Sequence, residues 1–358
     1  MEGDENRQKL RDNRSFNLYL SRVAFTSLAF SLYSIFIPIF AYTYSGNLIF
    51  TGLVLFAQYG VYSLSFLAGP IVDRVRNKRI IFVMSYSTIA ALWAFMAEMV
   101  HLKSLSPEIL IGVVIAIAFA DNFAWTTGHI ILPMLVNKSD FFKANGYVRL
   151  ISGSHEVGGL ALAGVILIYP GDVYSILLYS AAMWCAAFIS LHIPLYTGNR
   201  ESEGNEGLAE GWKYLARNYK PMILTAIYLS LISFFGLAPA LLILNGTSGS
   251  FWYIVLYAAF MVGGIIAGPL LGILNMRKRV GLGIVTSAMS YAFLIMASSY
   301  LFAVPIFEIP VWMVAGISLD TCITLFNVYL QGTVKREFLG RSASSLYTFR
   351  KYQYQLGA

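Results

Sequence analysis

Apolar residues run along this chain in long blocks rather than in short periodic stripes. Ten such blocks lie near 17–43, 48–72, 80–101, 108–136, 144–168, 173–196, 221–244, 251–274, 280–302 and 309–333. Each is long enough to cross about 30 Å of hydrocarbon as a helix. Lipid offers no partner to an unpaired backbone amide, so spans of this length must be helical. The pattern predicts an all-α polytopic membrane protein.

Composition supports that class. The 358 residues are 58% hydrophobic and only 12% charged, against about 25% charged in soluble domains. The net charge of +7 raises the question of nucleic acid, and charge placement answers it. With the N-terminus in the cytoplasm, the segments on that face are 1–16, 73–79, 137–143, 197–220, 275–279 and 334–343. They hold 20 of the 25 lysines and arginines. Arg22, Arg149, Arg350 and Lys351 fall in the first turns of helices leaving that face, and only Lys103 lies outside it. This is the positive-inside distribution of a multi-pass cell-membrane protein with a cytoplasmic N-terminus. No soluble basic face is left for nucleic acid. Cys185 and Cys322 sit within apolar runs and read as small core residues without disulfide or metal spacing.

The polar stretch 197–220 divides the chain into 1–196, with six runs, and 221–358. Within it Leu208, Trp212 and Leu215 share one face of a short amphipathic helix on the inner membrane surface. The two parts echo each other. Gly69-Pro70 and Gly268-Pro269 lie 199 residues apart, as do Asp121 and Asp320, and "VGG" at 157–159 and "LGA" at 356–358. Three landmarks at one offset indicate a six-helix repeat. By this register ten helices are followed by part of an eleventh. A truncated second unit, or one completed by a partner, is the expectation.

The linker between runs two and three, "GPIVDRVRNKR" at 69–79, resembles the cytoplasmic motif of the major facilitator superfamily, with Gly69, Asp73, Arg74 and the basic pair Lys78 and Arg79 in place. Arg76 stands where that family has glycine. The stretch 16–47 and "EGWKYLARN" at 210–218 are similar to its drug- and macrolide-efflux branch. The resemblance implies two six-helix repeats that rock about a central site. It implies a secondary transporter, with proton-coupled efflux of small amphipathic molecules as the specific expectation. It also implies a gating latch at Asp73, with its partner near Gly340 and Arg341, although the surrounding cations would equally serve to fix topology.

Ionisable groups inside a membrane are costly and therefore candidates for function. Asp121 on run four is followed by Trp125 and His129 at i+4 and i+8, one stripe of acid, aromatic and imidazole. Asp320 on run ten leads a stripe with Thr324 and Asn327. Runs one, four, seven and ten line the cavity in the resembled family, which places Tyr33 and both acids on the substrate path. On run five, Glu156 and His155 lie among glycines that favour close packing, with Ser152 on the Glu156 side. Adjacent positions diverge by about 100°, so only one of the pair faces inward fully, and Glu156 is preferred. Each histidine and acid also has a purely structural reading. The expected ligands are a small-molecule substrate and protons in a lipid bilayer, bound by a monomer. No cofactor, metal, ATP or enzymatic chemistry is expected. The competing readings are an importer of the same fold and a non-transporting sensor.

Overall fold

A computed structural model describes residues 10–168, 172–194, 217, 249–273, 279–301 and 305–334. Among them all regular elements are helical. The long helices are α1 (Arg14–Ser45), α2 (Leu48–Ser63), α4 (Lys78–His101), α5 (Pro107–Leu135), α6 (Phe141–Ile168) and α7 (Asp172–Leu191). After a gap in the described residues come α8 (Gly249–Ile273), α9 (Val280–Leu301) and α10 (Glu308–Thr333). A short α3 (Ala68–Arg74) follows α2. Five of the described helices are long and apolar enough to cross a membrane, and α1, α6 and α8, at 32, 28 and 25 residues, match them in length.

The second apolar run departs from expectation. It is not one helix over 48–72 but breaks after Ser63 into a 3-10 turn, Ser65–Leu67, before α3. Pro70 is the cause that the sequence supplies. It has no N–H for the carbonyl of residue 66, and its ring crowds that carbonyl. The buried amide of Asn122 on α5 donates to the Val61 carbonyl at the break (2.9 Å). The seventh run, the amphipathic segment at 208–215, the "NGT" triplet at 245–247, a glycosylation pattern common by chance, and everything beyond 334 lie outside the described residues.

Local chemistry ends the helices. Asn13 caps α1 through Phe16 N–H (3.0 Å), and its amide donates to Leu135 O at the end of α5 (2.8 Å), so these ends share a membrane face. The α1–α2 turn uses Gly46 at φ +61°, the left-handed region that glycine tolerates. Asn47 then caps α2.

Helices α1–α7 form one packed group. Its core includes Phe16, Tyr33, Phe82, Trp93, Leu110 and Ile176. Helices α8–α10 form a second, with smaller clusters around Leu325 and Trp312. Large apolar side chains point outward, among them Phe56, Met84, Phe188 and Phe293, as lipid solvation requires. Cys322 is buried, whereas Cys185 is exposed on α7, so the expectation of two core cysteines holds for one. Its place among outward-facing Trp184 and Phe188 explains the difference.

The two groups meet on α6, which packs against α8 and α10. The approach rests on glycines. A Cβ on Gly146 would stand 2.8 Å from the Gly268 carbonyl oxygen, and one on Gly268 would stand 2.6 Å from that of Gly146. Small residues at such crossings let backbones touch in a membrane, where apolar burial alone gives no drive to associate. Farther along, Gly153 faces Ile265, and Gly159 lies against Leu28 and Ser31 of α1.

Candidate functional site

Arg149 projects from α6 at the crossing of the two helix groups. One terminal nitrogen, Nη2, donates to Asp320 Oδ2 of α10 at 2.6 Å. The other, Nη1, donates to Glu156 Oε2 at 3.3 Å. One guanidinium is therefore shared by two acids, one from each group of helices. Asp320 is 6% exposed, while Arg149 and Glu156 are partly buried. Breaking such a pair by removing one partner is costly, because it leaves the other charge buried without compensation.

The backbone makes room for the triad. A Cβ on Gly264 of α8 would stand 1.9 Å from Asp320 Oδ2 and 2.7 Å from Arg149 Nη2. Gly263 and Gly316 let α8 and α10 close up beside it, since a Cβ on either would collide with the other helix's backbone. Toward the end of the crossing, the buried Asn145 amide donates to Gln331 Oε1 of α10 (2.8 Å).

Two of the three acids singled out in the sequence, Glu156 and Asp320, thus belong to one cluster. Its centre is Arg149, which the sequence marked only as a cation near a helix start. A readable signal was present: Arg149 and Glu156 are seven residues apart, which is two helical turns and one face. The approach of Asp320, 171 residues away in sequence, has no local signature. Ser152, expected beside Glu156, instead donates to the Arg149 carbonyl at 3.2 Å.

Asp121 is outside this cluster. It lies on α5, within the first group of helices. Trp125 and His129 are in ring contact, with centroids 4.0 Å apart and planes tilted by 50°, as i and i+4 neighbours on one face. His155 Nδ1 faces the Ile151 carbonyl at 2.9 Å, a bond within its own helix. Tyr33 lies in an aromatic group. It is 1% exposed and packs against Trp93 and Tyr179, with centroids at 5.6 and 5.8 Å. Three mutually packed rings bury more apolar surface than one ring facing a cavity.

Arg22, which the sequence marked only as a cation near a helix start, is buried among aromatic rings. Arg22 donates to the Tyr86 hydroxyl at 2.6 Å, with its guanidinium carbon 4.4 Å from the Tyr19 ring centroid and 4.5 Å from that of Phe82. Its positive charge is compensated by aromatic faces.

At the 69–79 linker, Gly69 is buried, Asp73 and Arg79 are half-buried and Arg74 is exposed. The Lys78 ammonium donates to the carbonyls of Val72, Asp73 and Val75. It thereby closes the C-terminus of α3, where carbonyls lack helical partners. Arg79 donates to Leu191 O at the end of α7 (3.1 Å). These two cations bind helix ends. The expected Asp73 partner near Gly340 and Arg341 lies outside the described residues.

Comparison with known proteins places this geometry. A bacterial homologue of the iron transporter ferroportin, solved in an outward-facing state, superposes with a TM-score of 0.68 at 16% identity, covering 95% of this chain and 90% of that one. The transporter FucP in its outward conformation gives a TM-score of 0.70 at 14% identity, covering 94% and 88%. A point variant of the E. coli fucose:proton symporter FucP gives 0.66 at 12% identity, again covering 94% and 88%. At these identities the likeness is one of fold. No curated protein sequence matches. The sequence pattern of the Major Facilitator Superfamily matches residues 22–351. That span takes in all the long helices but the start of the first, and the chain belongs to the Major Facilitator Superfamily.

Proposed function

We propose that this chain exports small amphipathic molecules across the cell membrane in exchange for protons, with Arg149, Glu156 and Asp320 as the coupling site. The observation that carries the reading is the single guanidinium shared by carboxylates from both groups of helices. Protonation of Asp320 removes one of the two charges that hold Arg149, and the α6–α10 bridge weakens. A cationic substrate can replace the guanidinium beside a carboxylate, so substrate and proton compete for the same acids. Binding that differs between two conformations is what shifts their populations. The alternating-access cycle then follows from opening and closing the α6 seam.

Asp121, Trp125 and His129 form the proposed substrate wall on α5, and the linker with Gly69, Asp73, Arg74 and Arg79 the proposed gate. Units 1–196 and 221–358 joined by 197–220 are the proposed moving bodies, in a monomer with its N-terminus in the cytoplasm. The same triad would also serve uptake. One structural neighbour is a fucose:proton symporter, which keeps an importer as the second reading.

Reconstitution in liposomes tests the proposal. Lipophilic cations and macrolide-type compounds are added, and proton movement is recorded for wild type, Asp320→Asn and Glu156→Gln. Export coupled through the triad predicts substrate-evoked proton flux opposite to the substrate, reduced at least tenfold in both variants. Flux in the same direction as substrate would favour uptake. Equal flux in all three proteins would remove the triad from coupling.

A further inference from the structure

A second acid in the C-terminal helices is more deeply buried than any member of the triad. Glu308, the first residue of α10, is 0% exposed. Its Oε2 accepts from Ser298 Oγ of α9 at 2.7 Å and from Trp312 Nε1 at 3.0 Å. Trp312 Nε1 also lies 3.0 Å from Ser298 Oγ, which locks the three groups together. The other oxygen, Oε1, is buried and makes no hydrogen bond among the described residues. Around Trp312 the packing is apolar, with Leu256, Ala259, Phe260 and Ile309.

Among the described residues no cation stands near to balance this carboxylate. The sequences of α8 and α9, the helices packed against α10, contain no Asp, Glu, Lys, Arg or His. Their titratable residues are the tyrosines at 253, 257, 291 and 300. From 221 to 334 the only cations are Arg277, Lys278 and Arg279, before the start of α9. Ser298 is 18 residues beyond Val280, roughly 27 Å along the helix. On α6, the titratable groups are Lys143, Tyr147, Arg149, His155 and Glu156. Arg149 engages Asp320, twelve residues below Glu308, or roughly 18 Å. The first-turn amides of α10 contribute about half a positive charge, but none bonds Oε1. A lone buried carboxylate without a counter-charge is unfavourable by several kcal/mol in general.

We propose that Glu308 is the carboxylate of a separate binding site, which takes one small monovalent cation, a proton or an alkali ion, on Oε1. One acid matches one positive charge. Among the described residues no cluster of three or more His, Cys, Asp or Glu could hold a metal ion, so a divalent ion does not fit. The site stands apart from the triad, and its occupancy is readable without transport.

The test is thermal unfolding of the purified full chain in detergent. Wild type, Glu308→Gln and Trp312→Phe are compared along two series. One exchanges sodium for N-methylglucamine at fixed ionic strength, and the other lowers the pH. A cation bound by the folded state alone raises its stability with concentration. Wild type and Trp312→Phe, which both keep the carboxyl, should show a rise in Tm in one series that Glu308→Gln lacks. A rise with sodium identifies the alkali ion, and one with acid identifies the proton. Parallel curves for wild type and Glu308→Gln in both series would overturn the proposal. Should Glu308→Gln not fold, Ser298→Ala carries the test. Loss of a donor to Oε2 must shift the midpoint of the response, and an unshifted midpoint overturns the proposal equally.

Discussion

Arg149 is the residue on which the two groups of helices depend, because it satisfies one acid from each. Its removal leaves two carboxylates without their cation, at a cost on the order of 3 kcal/mol. Arg149→Ala should therefore lower the thermal midpoint of the purified protein more than Asp320→Asn does. Arg149→Lys should recover only part, because one ammonium cannot present two separated nitrogens to two acids. A smaller fall for Arg149→Ala than for Asp320→Asn would contradict the shared bridge. Gly264 makes a second prediction at this scale. A methyl group there meets Asp320 Oδ2 at 1.9 Å, so Gly264→Ala should displace the bridge and destabilise the chain. The same change in an Asp320→Ala background, where the 1.9 Å clash is gone and only the flexible end of Arg149 stands close, should cost less. Equal costs in both backgrounds would show that Gly264 acts through packing alone.

At the scale of elements, the helices were largely legible and their interruptions were not. Nine of the apolar runs predicted from the sequence fall on described helices, because lipid-facing and core-facing residues are both apolar and the blocks stand out. The break in run two was missed because Pro70 lies close to its end and reads as a terminus. The sequence marked Glu156 and Asp320 because charges are rare in apolar runs. It could not reveal that they share Arg149, since contact between distant helices leaves no local periodicity. Lys78 illustrates the same limit: its charge was visible, but its three carbonyl partners at the end of α3 were not. Lys78→Ala should destabilise the protein by about 1 kcal/mol, the usual scale for a cation at a helix C-terminus. The fall in denaturation midpoint should persist in Lys78→Met, which keeps the apolar stem. Full recovery by Met would assign the effect to packing.

For the whole molecule, the main contacts between the two groups of helices among the described residues follow a seam along α6. Asn145–Gln331 and Gly146–Gly268 lie at the end nearest the face that holds the N-terminus, and Arg149–Asp320 lies deeper. Opening that face requires all three to part. A disulfide between Asn145→Cys and Gln331→Cys should form in the purified protein and abolish transport until it is reduced. Transport that continues with the bond intact would show that this seam does not open in the cycle.

The central claim is that charge on the triad holds the seam closed. Spin labels placed at the α6 and α10 ends of the N-terminal face, with distances recorded by electron-electron resonance, test it most directly. Wild type at neutral pH should give one short distance, and Asp320→Asn should add a longer population without any substrate. The same distribution in both proteins would contradict the account, because the seam would then be closed by packing and not by the shared arginine.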